Sequence, residues 1–392
     1  MIFSKNLEFK CFQKKRNSNL IKKNLSLLIN QKNNEVINSL KLNYKYSYSK
    51  KFLNNLKKKY KKIRLIGMGG SILGTKAIFN FLDFKSKKKL YFFDNLNPKI
   101  NNYKDQKFLN LIISKSGNTL ETIANSNILI KKNDRNIFIT ENKQSYLKLL
   151  AEKLKSDVVS HNNFIGGRYS VLSEVGMLPS SLMGLKENKF KVFNKLVNNK
   201  NFINQLVSNV ANILFLTKEK KYNSVIMNYD IKSNDFLNWY QQLVAESLGK
   251  KKFGIFPIIS SMPKDNHSLM QLYLDGPKNN FYTFFYANEK RSNKINNKSI
   301  LETYKVLKNK NLNEIIFAQK IATEKIFLSK KIPFRSFKIL KRNEETLGEL
   351  FTFFIFETIL LGRAMKINPF DQPAVELIKE QTKKILISKK YS

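Results

Sequence analysis

One cysteine, Cys11, and two histidines, His161 and His267, are all that the 392 residues offer in thiols and imidazoles. A disulfide framework needs cysteines in pairs and a cysteine metal site needs several, so both are excluded; a histidine metal site has little to draw on. Long apolar runs are missing too. The greasiest stretch, Leu350 to Leu361, is too short to span a bilayer and contains Glu357. Met1-Ile2-Phe3-Ser4-Lys5 does not lead into an apolar core with a small-residue cleavage site, so no secretory leader is read. Acidic residues are scarce, 29 against 71 Lys and Arg. The expectation is a cytoplasmic protein with no metal, no cofactor and no membrane segment.

What is present suffices for packed cores: 42% of residues are hydrophobic and 12% aromatic, in a length that suits about two domains. The formal charge of +42 would attract polyanions nonspecifically and steer an anionic substrate. The lysines are spread along the whole chain among Asn, Ile, Phe and Tyr, which reads as a compositional bias and not as a binding stripe. No helix-turn-helix, zinc-finger or RNA-binding signature accompanies them, and no specific nucleic-acid partner is expected.

The chemistry gathers in a few turns. Leu111-Ile112-Ile113 is a short buried strand that empties into Ser114-Lys115-Ser116-Gly117-Asn118-Thr119, and Leu120 to Leu129 then reads as a helix. Hydroxyls of Ser114, Ser116 and Thr119, the Lys115 charge and the opening helix N–H groups would together hold an anion such as a phosphate. Ser and Thr are also ordinary helix caps, which is the plainer reading. An earlier strand, Ile63 to Ile66, leads into Gly67-Met68-Gly69-Gly70-Ser71, a turn shared by dinucleotide sites and simple tight turns. Asp94 follows the strand Leu90 to Phe93, but no acidic ribose ligand stands at a convincing spacing, so nucleotide binding is disfavoured. In a parallel sheet both turns lie at the carboxyl edge and converge on one phosphate.

Further strands are predicted at Ile137 to Thr140, Asp157 to Ser160, Ser224 to Met227, Gly254 to Ile259 and Phe281 to Phe285, which makes an α/β protein with two strand series. Gly166-Gly167-Arg168 puts an arginine on an exposed loop, suited to an anion or an enolate oxygen. Gln242 and Glu246, four apart, share a helix face that ends at Gly249. His267 opens a helix after an Asp/Asn-capped turn. Residues 1–60 read as amphipathic helices and loops, and 290–345 as Lys/Asn-rich with helical periodicity. The tail holds an apolar helix to Gly362, a stiff turn Asn368-Pro369-Phe370-Asp371-Gln372-Pro373, and a helix bearing Lys379.

Gly67 to Ser71, Ser114 to Thr122, Gly166 to Gly176, Gln242 to Lys250, His267 to Leu272 and Asn368 to Lys379, in that order, resemble the glucose-6-phosphate isomerase (phosphoglucose isomerase) family. The resemblance implies two sugar-isomerase (SIS)-type three-layer α/β/α sandwich domains with mainly parallel sheets: 61–195 with the phosphate cradle, and 196–343. They are flanked by helical segments 1–60 and 344–392, the latter carrying the ring-opening lysine. It implies that Gly70, Ser71, Ser114, Lys115, Ser116 and Thr119 bind the sugar phosphate. Glu246 would be the base between C2 and C1, with Arg168 beside the cis-enediol. His267 and Lys379 would open the ring, Gln242 and Gln372 would be substrate neighbours, and Glu121 would orient the histidine. It further implies a homodimer whose histidine crosses the interface. Met68, Leu248 and Ala374 depart from the family's usual residues without removing a functional group. A bifunctional phosphoglucose/phosphomannose isomerase and a non-catalytic sugar-phosphate-binding SIS protein are the alternatives. A glucosamine-6-phosphate synthase would need an N-terminal nucleophilic cysteine, which Cys11 does not supply.

Overall fold

Short apolar runs closed by polar turns become strands, and the longer amphipathic or wholly apolar runs between them become helices. The structure, a computed structural model, describes residues 4–100, 107–131, 134–289 and 291–388, so Met1–Phe3 of the N-terminal reading lie outside it. The first sheet has the order β3-β2-β4-β5-β6, all parallel: β2 Lys62–Gly67, β3 Lys89–Phe93, β4 Leu109–Ile113, β5 Arg135–Thr140 and β6 Asp157–Ser160. β4 is buried at every residue, as a central parallel strand covered on both faces must be.

The second sheet has the order β1-β10-β9-β7-β8. Here β7 Asn223–Asn228, β8 Phe256–Ser261, β9 Asn280–Ala287 and β10 Phe334–Ile339 are parallel, and β1 Leu7–Lys10 pairs with β10 antiparallel, Phe9 opposite Phe337. Two of these strands correct the sequence reading. β1 lies in a segment read as helices and loops, and β10 in one read as helical; each is flanked by Lys/Asn-rich chain, and the neighbouring helical period masked it.

Helices α1 Asn19–Asn30, α2 Glu35–Ser39 and α3 Lys50–Lys59 precede the first sheet. α4 Leu73–Phe81, α5 Leu120–Leu129 and α6 Tyr146–Lys153 connect its strands, and α7 Glu174–Met183, α8 Phe193–Val197 and α9 Lys200–Lys218 lead to the second. There follow α10 Asn234–Leu248, α11 Met270–Asp275, α12 Leu312–Ser329, α13 Glu344–Ala364 and α14 Ala374–Ile387. α13 is buried from Thr346 to Gly362 and packs against α9 and α10; α10 also packs on α4, from the other half of the molecule.

One polar network runs through this core. Arg335 on β10 donates to Thr283 Oγ1 and Asn209 Oδ1, both at 2.9 Å, and pairs with Glu357 on α13, both charges being fully buried. Tyr240 on α10 donates to the same carboxylate at 3.0 Å. Five elements thus meet at one ion pair, and α10 is fixed in rotation by it. Among the described residues no helix is long and apolar enough to cross a membrane.

Candidate active site

The pairing of β2 with β4, Gly67 opposite Ile113, sets two turns side by side at the carboxyl edge of the first sheet. Gly69 takes φ +51°, which L side chains rarely adopt, and Gly70 lies directly on the Gly167-Arg168 backbone: a methyl on Gly70 would stand 2.2 Å from the Gly167 carbonyl carbon. The glycines therefore join the 69–71 turn to the 167–172 turn. In the second turn Ser114 is buried, and its Oγ lies 2.9 Å from Thr119 Oγ1. Thr119 occupies the N-cap of α5 but makes no capping hydrogen bond. The two hydroxyls are turned towards each other and not onto the helix, and the plainer capping reading does not describe this turn. Ser71 and Lys115 are half-buried and Ser116 is exposed. Lys115 Nζ lies 3.3 Å from Glu141, a buried carboxylate at the end of β5 that also meets Lys143 at 3.5 Å.

Arg168 is 1% exposed, which corrects the expectation of an exposed loop. A guanidinium has five N–H donors in a fixed fork. All five have acceptors here: Ser247 Oγ at 2.8 Å, Glu246 Oε2 at 3.3 Å, Gln372 Oε1, and the carbonyls of Pro369 at 2.8 Å and Asp371 at 3.0 Å. The charge is taken out of water only because every donor is met. Trp239 on α10 donates to the Arg168 carbonyl at 3.0 Å, and Tyr169 bridges Ser247 and the Pro369 carbonyl. Glu246, its side chain 30% exposed, receives Gln242 Nε2 at 2.8 Å on its other oxygen. The structure therefore gathers Gly70, Arg168, Gln242, Glu246 and Gln372 in one place. Glu246 and Gln372 line a cavity of about 980 Å³ shared with Lys250, Phe253 and Asp371.

Three sequence-predicted residues stand apart. His267 is exposed, in a 3-10 turn after β8 that is organised by buried Asp265, whose carboxylate accepts from Ser260 Oγ, Ser261 N and Ser268 Oγ. Lys379 is exposed on α14, where its Nζ donates to Glu376 at 2.7 Å. Glu121 is half-buried in the first turn of α5, and no hydrogen bond links it to His267. Asp94 is paired with Lys76 at 2.8 Å.

Sequence reasoning missed Ser247, Tyr169, Glu141, Lys250 and Asp371 as contributors to the site. Ser247, Tyr169, Lys250 and Asp371 fall inside the quoted motif blocks, so a reading of whole blocks could have found them. Glu141 carries no local signal; only the β4–β5 register brings it to Lys115.

With this geometry in hand, known proteins offer comparison. The family model described as phosphoglucose isomerase matches residues 29–254. A glucose-6-phosphate isomerase of Methanocaldococcus jannaschii is 34% identical over 341 residues, 81% of this chain and 82% of that one. The enzyme of the same name from Campylobacter jejuni is 31% identical over 353 residues, covering 84% and 86%. Among solved structures, a hypothetical protein from Thermus thermophilus superposes with a TM-score of 0.80 at 23% identity, covering 93% of this chain and 94% of that one. A glucose-6-phosphate isomerase from Chlamydia trachomatis gives 0.68 at 20% identity over 87% and 72%. These two share the fold.

Proposed function

The chain belongs to the phosphoglucose isomerase family, and we propose from this that Glu246 is the base of an aldose–ketose isomerisation between glucose 6-phosphate and fructose 6-phosphate. The observation that carries the assignment is the environment of the Glu246 carboxylate. One oxygen is held by Arg168 and the other by Gln242, while the side chain remains 30% exposed at a cavity. A carboxylate fixed in this way takes the C2 proton and returns it to C1 without reorienting. The Gln242 Oε1 atom is buried and has no partner among the described residues.

Because all five Arg168 donors are engaged, a substrate oxygen reaches the guanidinium only by displacing Gln372 or Glu246. Otherwise the arginine, itself shielded from water, stabilises the enediolate through its fixed positive field. The 6-phosphate is assigned to Ser71, Ser114, Lys115, Ser116 and Thr119 with the Gly70 backbone. The uncapped start of α5 supports this, since its free N–H groups and dipole favour an anion. Binding energy won there orients the carbons that react elsewhere.

Ring opening is assigned to His267 and Lys379. Both are exposed on one chain, as expected of groups that complete a site across an interface, and α14 has no buried residue of its own. A homodimer in the cytoplasm, with the histidine given by the neighbouring subunit, is the assembly we propose.

Fructose 6-phosphate conversion, read through glucose-6-phosphate dehydrogenase and NADP reduction, tests the reading. Wild type should turn over, and Glu246→Gln should lose about a thousandfold in kcat with KM little changed. A variant that keeps wild-type kcat removes Glu246 from the role.

A further inference from the structure

Lys250 is the first residue past the Gly249 cap of α10, and its side chain is only 12% exposed. Lysines are seldom so shielded without a partner. Its backbone is pinned by a tight loop in which Lys250 N donates to Phe253 O at 3.1 Å and Phe253 N returns to Lys250 O at 2.8 Å. Its Nζ donates to the Asn368 carbonyl and, at 2.6 Å, to Asp371 Oδ1. Asn368 Nδ2 holds the other Asp371 oxygen at 3.1 Å, and Phe370 N donates to Asn368 Oδ1 at 3.1 Å. The 368–372 turn is thus fastened by two cations: Arg168 grips its carbonyls and Gln372, and Lys250 grips its outer side. α14 starts at Ala374 with no buried residue, so its direction is inherited from this turn.

We propose that Lys250 and Asp371 form a clasp that sets the turn, and through it both Gln372 and the helix carrying Lys379. Lys250 is then a positioning residue for the isomerisation. This rests on the reading of the site given above. The Lys250 ammonium, as the leading cause, holds the Asp371 carboxyl below the usual carboxylate range, in keeping with the pair. An ordinary exposed pair contributes little; this one is sheltered at the lysine end and shares its cation with a backbone carbonyl.

Four chains test it: wild type, Lys250→Met, Asp371→Asn and the double variant, with Lys250→Arg as the conservative control. Amide hydrogen exchange across 368–387 should quicken to a similar degree in both single variants and no further in the double one. kcat should fall between about tenfold and a hundredfold. Inhibition by inorganic phosphate should not change, because the cradle sits on the first sheet. Lys250→Arg should recover most of the kcat. A general loss of stability would not separate kcat from phosphate affinity in this way. Unchanged exchange, retained kcat, or additive losses in the double variant would overturn the clasp. A wild-type chain with no turnover that still shows the exchange difference would overturn the isomerase reading and leave the fastening of the turn intact.

Discussion

At the residue scale, Arg168 shows how a buried charge becomes usable. Arg168→Lys replaces five forked donors with three on a point charge, leaving at least two of the five acceptors unmet. Coupled assays should show kcat down by about a hundredfold or more, with a lowered Tm. His161 makes a separate prediction. It is buried and hydrogen-bonded to the Ile165 carbonyl, and burial pushes its imidazole from 6.5 down to about 4, with nearby Lys115 acting in the same direction. A pKa lowered by folding means that the unfolded chain binds more protons between those values. The stability from the neutral ring is therefore complete above pH 6.5 and lost as pH falls through about 4. Urea unfolding should show wild type losing about 3 kcal/mol across that window that His161→Gln does not lose. Residue types were legible in the sequence because motifs fix chemistry, and the structure places Glu246, Gln242, Arg168 and Gln372 within hydrogen-bond reach of one another. Burial was not legible, since two glycines before Arg168 read as a loop while their real effect is to let two backbones touch.

At the element scale, the site depends on contacts between turns. Gly70→Ala would drive a methyl into the Gly167 backbone, where no side chain can give way. Turnover should be almost abolished while circular dichroism still reports both sheets. Farther back, Arg335 and Glu357 lock α10 through Tyr240. Arg335→Met strands a buried carboxylate and should cost roughly 3–5 kcal/mol in denaturant unfolding. The strands in which apolar residues predominate, β2, β4, β5, β7 and β9, could be read directly. β10, Phe-Arg-Ser-Phe-Lys-Ile, could not, because three of its six residues are polar, and the partners that let Arg335 be buried, Glu357 among them, lie on other elements.

At the scale of the whole molecule, the exposed positions of His267 and Lys379 lead to a mixing experiment. Glu246→Gln and His267→Ala chains, each inactive alone, should regain activity when unfolded and refolded together, because one site of the hybrid then has both groups. No regain would place the histidine in the same chain as its site. The +42 charge adds a rate effect: kcat/KM for a sugar phosphate should fall as ionic strength rises.

The pairing of β1 with β10 also orders events in time. A ribosome makes Leu7–Lys10 long before Phe334–Ile339, a gap of about a quarter-minute to a minute at ordinary elongation rates. Within that interval every strand of the first sheet, residues 62–160, has left the exit tunnel with its partners available. The second sheet must wait for its outermost pair until Phe334–Ile339 has been made. The half with the 69–71 and 114–119 turns thus has its strands complete first, and the half that carries α10 is sealed later, by a strand made before any of the first sheet's.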